Sequence, residues 1–395
     1  MKEIIRLCLF VLLIVATGCS SDKQTEKGLP CIDVTKNYPE KEILITDIAD
    51  VHYLYLDTKE KEFLYKGGID YVTENTIVVV DRSSQSVLFF SKEGVPKSRF
   101  NRKGQGPEEY SNASAVMYDE EKDEVYVIPD FNNYIKVYSS LGEFKRRLTF
   151  PQINIGNQIA FFDDQSILVY DNTNLWRNIN KQHAGDKSAL TEQANDSSFF
   201  LMSRANGEVL EHIELASNNA INVSTINDGD FFGQIGYTRV RKSPDGLLLY
   251  NPETDTVFLY NKEKILTPFL HKKPLLNHSE PMVFMDICMD AGDFQFMAVY
   301  PYLKGEYPSA IYYMRDKKTD EIFRPTMIHP DYTGKSFHFD PRLLSYYEKG
   351  YHFELDFMEL KEAYNENRLS GELKKLVATL DEEEGNNVFM LVQFK

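Results

Sequence analysis

Beyond residue 16 the chain has no run approaching the 18–20 apolar residues that a bilayer-crossing helix requires, so the body is expected to lack one. Cysteine is scarce: four in 395 residues, at positions 8, 19, 31 and 288. That excludes a disulfide framework and any Cys-rich zinc spacing. Tryptophan occurs once, as Trp176, which argues against a sugar-binding platform built from several indoles. Basic residues are in deficit, with 44 Lys and Arg against 60 Asp and Glu, a formal net charge of −16. Such a chain is repelled by nucleic-acid phosphates and by anionic head groups, and neither is expected as a partner. No Gly-x-Ser-x-Gly elbow is present and no motif surrounds Cys31 or Cys288, so nucleophilic catalysis has no support.

What is present starts at the N-terminus. Lys2 and Arg6 lead into an unbroken apolar run from Leu7 to Ala16, followed by Thr17-Gly18-Cys19-Ser20. A run of ~10 residues is too short to span a bilayer and fits the core of a secretory signal. Thr17 and Gly18 are small enough for a peptidase to approach the backbone, and Cys19 supplies a thiol for a thioether to diacylglycerol. These residues resemble the lipobox of bacterial lipoproteins, with Ala16 where Leu is usual. The resemblance implies cleavage before Cys19 and anchoring through lipid, each buried methylene contributing about 0.8 kcal/mol. The expected organisation is a signal peptide at 1–18, a lipidated flexible leader at 19–39 and a folded domain at 40–395. The expected location is the cell envelope, lipid-anchored at the outer membrane on its periplasmic or surface side. Ser20 to Gly28 is polar and small, in keeping with a tether, and Asp22 is the one acidic residue placed to act as a surface-export signal.

The body alternates short β-branched and aromatic runs with turn residues. Ile77–Val80 and Val87–Phe90 close on Gly94; Val125–Ile128 and Ile135–Tyr138 close on Gly142, 48 residues later. Hairpins recurring at a fixed period read as propeller blades. Weaker copies follow. Ser166–Tyr170 goes with Phe199–Met202 across a polar insertion, 171–198. Gly246–Tyr250 goes with Asp255–Tyr260, and Phe294–Val299 with Ile311–Met314. Placing Val51–Leu56 and Val388–Val392 in one sheet closes the ring and removes its open edges. The expected fold is therefore all-β: a six-bladed β-propeller, seven blades being the alternative, with a short helical segment before the closing strand. Leu373, Leu376, Val377 and Leu380 share one helix face, Ser370 stands at the N-cap, and a second short helix runs from Met358 to Asn365. These helices read either as a lid over one face or as filler before the last strand.

Three stretches together carry a family resemblance. They are Phe89-Phe90-Ser91-Lys92-Glu93-Gly94 with Arg102-Lys103-Gly104-Gln105-Gly106-Pro107-Glu108-Glu109-Tyr110; Asp255-Thr256-Val257-Phe258 with Pro268; and Leu380-Asp381 with Asn386-Asn387-Val388-Phe389-Met390-Leu391. The chain resembles the six-bladed β-propeller lipoproteins of gut-type Gram-negative bacteria, related in fold to NHL-like and TolB-like propellers. Glu108 replaces a frequent Gly, and Asn387 a frequent Pro. The resemblance implies a fold and a location, and no settled activity.

Candidate chemistry is sparse. Gly104-Gln105-Gly106-Pro107 lacks the helix a phosphate cradle needs, and reads instead as an inter-blade turn with glycines at positive φ. His329-Pro330-Asp331 and His338-Phe339-Asp340 read as solvated loop residues at a blade edge rather than metal ligands. Glu42, Asn133 and Asp245 form one trio by which a channel metal would be held, as in lactonase-like propellers. Asp286, Asp290 and Asp293 have the wrong spacing for a calcium loop. Trp176 and Arg177, inside the insertion, are the candidate ligand contact, the alternative being an anchor that pins the loop. Cys31 and Cys288 are the one pair able to form a disulfide in an oxidising envelope. No cofactor is expected, a divalent channel metal being the only one in view. The expected function is non-catalytic binding of a peptide, glycan or protein partner at one propeller face. The alternatives are a metal-dependent hydrolase or lyase at the channel mouth and a structural part of an envelope complex.

Replacing Cys19 by Ala is expected to abolish incorporation of labelled palmitate and to leave the protein uncleaved or released. Label still entering the variant would refute lipidation at this residue.

Overall fold

The structure, a computed structural model, describes residues 28–58, 61–130, 133–150, 159–170, 199–215, 240–250, 255–275, 280–301, 309–337, 346–347, 350–380 and 386–395. The chain enters as β1 (Cys31–Asp33), β2 (Glu40–Leu44), a one-turn helix α1 (Ile45–Ile48) and β3 (Ala49–Tyr55). Five meander sheets, each drawn from one continuous part of the chain, follow. Sheet 1 is β4 (Ile69–Val72), β5 (Thr76–Val80), β6 (Val87–Ser91) and β7 (Pro96–Phe100). Sheet 2 is β8 (Ala115–Asp119), β9 (Glu124–Ile128), β10 (Tyr134–Tyr138) and β11 (Phe144–Thr149). Sheet 3 is β12 (Ile159–Phe161), β13 (Ser166–Tyr170), β14 (Phe199–Ser203) and β15 (Val209–Ile213). Sheet 4 is β16 (Val240–Ser243), β17 (Gly246–Tyr250), β18 (Thr256–Asn261) and β19 (Leu266–Lys273). Sheet 5 is β20 (Val283–Ala291), β21 (Phe294–Pro301), β22 (Ile311–Asp316) and β23 (Ile322–Ile328), with β24 (Ser336–Phe337) beside β23.

The last sheet is shared between the chain ends. β25 (Tyr346–Tyr347), β26 (Gly350–Leu355) and β27 (Val388–Phe394) supply three strands, and β3 supplies the fourth. β27 and β3 run antiparallel from Val388↔Tyr55 to Phe394↔Ala49, which is the pairing expected for Val51–Leu56 and Val388–Val392. First strands touch first strands: β4 meets β8, β12 meets β16, β16 meets β20, and β25 meets β4. The first strand of each sheet is therefore innermost and the fourth lies at the rim. The molecule is all-β, a propeller arrangement of small sheets. Among the described residues no sheet remains to form a seventh blade.

This layout explains which strands the sequence displays. β5 and β13 are buried at every residue, because neighbouring sheets cover both faces. Rim strands β7, β11 and β15 instead alternate between covered and exposed positions.

The N-terminal segment works as a strap. β1 adds in parallel to β19 at the rim of sheet 4, and β2 adds in parallel to β23 at the rim of sheet 5. The chain then reaches sheet 6 as β3. The folded body thus begins by Cys31 rather than at residue 40. The leader boundary at 39 is corrected because main-chain pairing with β19 orders residues 31–33.

The turns between third and fourth strands repeat one design. In sheets 1 to 5, backbone bonds close the turn at Ser91–Val95, Ser139–Glu143, Ser203–Glu208, Asn261–Ile265 and Asp316–Glu321. One residue in each has positive φ: Gly94, Gly142, Gly207, Lys264 and Asp320. The first three press on the rim of the preceding sheet. A Cβ on Gly142 would stand 2.5 Å from Cβ of Phe100, one on Gly207 2.8 Å from the Thr149 amide, and one on Gly94 would strike the Tyr55 carbonyl. Lys264 and Asp320 show that the conformation alone tolerates a side chain. Close packing between sheets is what demands glycine at the other three.

Between sheets 5 and 6 a shared core takes in the two helices, α2 (Phe357–Asn365) and α3 (Gly371–Thr379). Asp356 caps α2 by accepting the Glu359 amide at 2.9 Å. Ser370 occupies the N-cap position of α3, as expected, but its hydroxyl makes no capping bond. Asp331 caps instead, its carboxylate accepting the Glu372 and Leu373 amides at 3.0 and 3.3 Å. Leu360, Leu373 and Val377 are fully buried in this core, and α3 lies along β3. The helices thus pad the rim where the ring closes and do not act as a lid. His329 is corrected as well: it is 3% exposed, not a solvated loop residue. Its Nδ1 accepts the Asp331 amide at 3.2 Å, its ring stacks on Tyr53, and its Nε2 has no partner among the described residues. His338 and Asp340 lie outside the described residues. His352 on β26 is buried too, with Nδ1 unpartnered. Burial holds both imidazoles well below the ordinary 6.5, at about 4.

Two outcomes follow from this packing. Gly142→Ala is expected to cost about 2 kcal/mol or more, combining positive φ with overpacking against Phe100. Lys264→Gly should stay within about 1 kcal/mol of wild type; denaturant midpoints measure both. The histidines are neutral when folded and depressed in pKa, so their contribution is complete above pH 6.5 and is lost as pH falls toward 4. The stability difference between wild type and His352→Leu is expected to shift by up to about 3 kcal/mol across that window. A pH-independent difference would contradict it.

Candidate functional site

Meander connectivity sorts the connections onto two faces. First-to-second and third-to-fourth links share one face; second-to-third links and links between sheets share the other. The first face carries only short turns, such as 73–75, 120–123, 204–208, 262–265 and 317–321. The second carries the long links, among them 56–68 and 101–114, and the strand ends that flank 171–198, 214–239, 329–345 and 356–387 fall there.

The turn face is stapled from sheet to sheet. Glu120 of sheet 2 accepts the Thr73 hydroxyl at 2.8 Å and the Asn75 amide at 3.2 Å from sheet 1. Arg204 of sheet 3 pairs with Asp119 of sheet 2 and stands 3.7 Å from Glu124. Arg146 binds the same Glu124 at 2.6 and 2.8 Å and holds its carboxyl down at about 2. Glu211 of sheet 3 accepts Tyr260 and Lys264 of sheet 4, each at 3.2 Å. Asp290 of sheet 5 accepts the Ser243 hydroxyl of sheet 4 at 2.9 Å. Phe296 packs on Phe394 between sheets 5 and 6, and at the rim the Asp57 amide, from the loop-face link that leaves β3, donates to the Gly94 carbonyl at 2.9 Å between sheets 6 and 1. Every boundary of the ring is thus tied, and the loop-face link 101–114 is tied as well, through Arg82 to the Ala113 carbonyl and Tyr110 to the Gln85 carbonyl.

At the axis the innermost strands bring together residues that sequence reading misses. Lys242 of β16 sits with Nζ 3.4 Å from Oη of Tyr71 on β4 and 5.5 Å from that ring's centroid. Tyr71 also meets Phe161 of β12 edge-on, centroids 6.4 Å apart. Beside Tyr71, Asp70 occupies the bulge where β4 skips a residue against β5. Its carboxylate accepts the Val80 amide at 2.6 Å and pairs with Arg82, which reaches on to the Ala113 carbonyl at 3.2 Å. Burial outweighs the guanidinium and pushes this carboxyl up to about 6. A cation and a phenol therefore meet near the axis, with the Asp70 carboxylate turned to Val80 and Arg82 of its own sheet. The visible signal was slight: a single Asp inside the short strand Gly68-Ile69-Asp70-Tyr71-Val72.

The other sequence candidates fall elsewhere. The 101–114 connection is an inter-blade link, as expected, but neither Gly104 nor Gly106 has positive φ. A Cβ on Gly104 would meet the Glu109 carboxylate, the movable end of an exposed side chain, which accepts the Gly106 amide at 2.8 Å. Pro107 leads into Glu108 and Glu109, whose carbonyls are held by the Tyr138 hydroxyl at 2.7 Å and by the buried Lys136. No anion cradle forms. Glu42 lies on rim strand β2, Asn133 in a loop-face connection and Asp245 in a turn-face connection, so the metal trio is not brought together. Among the described residues no group of three or more His, Cys, Asp or Glu is placed to hold a metal. Asp290 pairs with Lys317 and Asp293 with Lys318. Cys31 is a free, exposed thiol at the rim of sheet 4, whereas Cys288 belongs to the innermost strand of sheet 5; its side chain is outside the described residues. Cys19, Trp176 and Arg177 also lie outside them. Among the described residues no helix is long and apolar enough to cross a membrane.

Comparison with one solved structure supports the fold. A Bacteroides fragilis protein named as exported superimposes with a TM-score of 0.63 at 14% identity, covering 92% of this chain and 99% of its own. A Bacteroides vulgatus member of the duf4221 family covers 88% of this chain and 97% of its own, at 12% identity and a TM-score of 0.46. No functionally curated protein matches the chain. The family described as Domain of unknown function (DUF4934) matches residues 29–393, almost the whole folded body, and the chain belongs to that family.

Proposed function

We propose that this chain is a lipid-anchored propeller of the cell envelope, its six sheets serving as six blades. Its loop face binds a peptide, glycan or protein partner without catalysis. The asymmetry of the two faces carries this reading. One carries only short turns, tied from sheet to sheet, and the other bears the long connections. Binding segments on rigid scaffolds are disproportionately loops of this kind, because loops change without disturbing the core beneath. Leu64, in the link between β3 and β4, and Met358, on α2, belong to loop-face connections and expose apolar side chains there, 53% and 70%. Cys19 supplies the anchor, and similarity to an exported protein is in keeping with an envelope location.

A benzophenone amino acid placed at Leu64 or Met358 in growing cells is expected to crosslink to a discrete peptide, glycan or protein. Absence of any adduct at both positions, with the protein folded and abundant, would contradict partner binding by this face.

A further inference from the structure

The strap has a direction. β1 runs parallel to β19, with Cys31 beside His271 and Asp33 beside Lys273, and the His271 amide donates to the Pro30 carbonyl at 2.8 Å. β19 itself climbs from the 262–265 turn toward the loop face. Read backwards, the described chain runs down the flank of sheet 4, from beside Lys273 to beside His271 and on to Gly28, away from the loops. Nine residues separate Gly28 from Cys19, a reach of about 30 Å at full extension.

The same face carries exposed apolar side chains where the third-to-fourth turns meet the rim. Val95 in sheet 1 is 56% exposed, Leu141 in sheet 2 is 69%, Leu210 at the start of β15 is 52% and Ile265 in sheet 4 is 53%. A single exposed aliphatic side chain is ordinary. Here four consecutive sheets each place one at the same level of the ring, on the side toward which the tether leads. The turns beneath them are held by the inter-sheet staples, so the four present together as a rigid rim. Lys92 and Lys262 stand in the same turns, with stems long enough to lie along lipid while the ammonium stays at the head groups.

We propose that this rim is a membrane-docking surface. The turn face seats on a zwitterionic phospholipid bilayer, Val95, Leu141, Leu210 and Ile265 enter the interface, and the loop face is held outward. Net charge of −16 disfavours an anionic bilayer, and the four apolar tips supply attraction that does not depend on charge. This inference rests on lipidation at Cys19.

The test uses the lipidated full-length protein with Trp176 replaced by Phe, bound to phosphatidylethanolamine–phosphatidylcholine vesicles with brominated acyl chains. Single tryptophans are introduced as Leu141→Trp, Ile265→Trp and Met358→Trp, and far-UV circular dichroism checks that each is folded. Docking predicts a blue shift and loss of most emission at 141 and 265, with 358 unquenched. Quenching at 358 alone, or at none of the three, overturns it. Flotation of wild type beside Cys19→Ala tests the anchor separately. If both float alike, the lipidation reading fails while quenching at 141 and 265 still decides the docking.

Discussion

Everything in this molecule depends on one pairing, β3 against β27. A propeller made of sheets packed face to face has no stable open form, since the first and last sheets would each expose an apolar face. Here the two chain ends close the ring. Val388, Phe389, Met390 and Val392 are at most 1% exposed, and burying four such side chains contributes about 6–12 kcal/mol. That is comparable to the whole net stability of a typical domain, about 5–15 kcal/mol. The strap distributes the burden further, for the segment that ends in β3 has already added a strand to sheets 4 and 5.

Closure also explains the division of labour between faces. A ring whose sheets must keep fixed spacing needs rigid contacts along one side, and the turn face supplies them through Glu120, Arg204, Glu211 and Asp290. Gly94, Gly142 and Gly207 let each turn lie directly on the preceding rim strand. With spacing settled there, the strand ends that flank 171–198 and 214–239 fall on the opposite face.

The middle strands of each sheet were legible because they are buried on both faces and must be continuously apolar, as Ile77–Val80 and Phe199–Met202 are. The first and fourth strands of sheets 1 to 5 were not. Rim strands such as Phe144–Thr149, with Lys145, Arg146 and Arg147, satisfy water on one side and read as loop. Innermost strands are as short as Ile159–Phe161. The axial contact of Tyr71, Phe161 and Lys242 stayed hidden for that reason, since its members lie on strands that sequence periodicity cannot register. The strap was hidden too, because parallel pairing of three to five residues leaves no local pattern. His329 was misplaced because a His-Pro-Asp triplet looks like a turn, whereas its burial is imposed by Tyr53 and Phe337 from other strands.

Hydrogen exchange of the backbone amides tests the closure most directly. Residues 49–55 and 388–394 are predicted to exchange together, as slowly as the middle strands of sheets 1 and 5. Deleting residues 388–395 is predicted to strip protection from β3 and both neighbouring sheets at once. Rapid exchange in β3 while sheets 1 and 5 stay protected would contradict a ring held shut by its two ends.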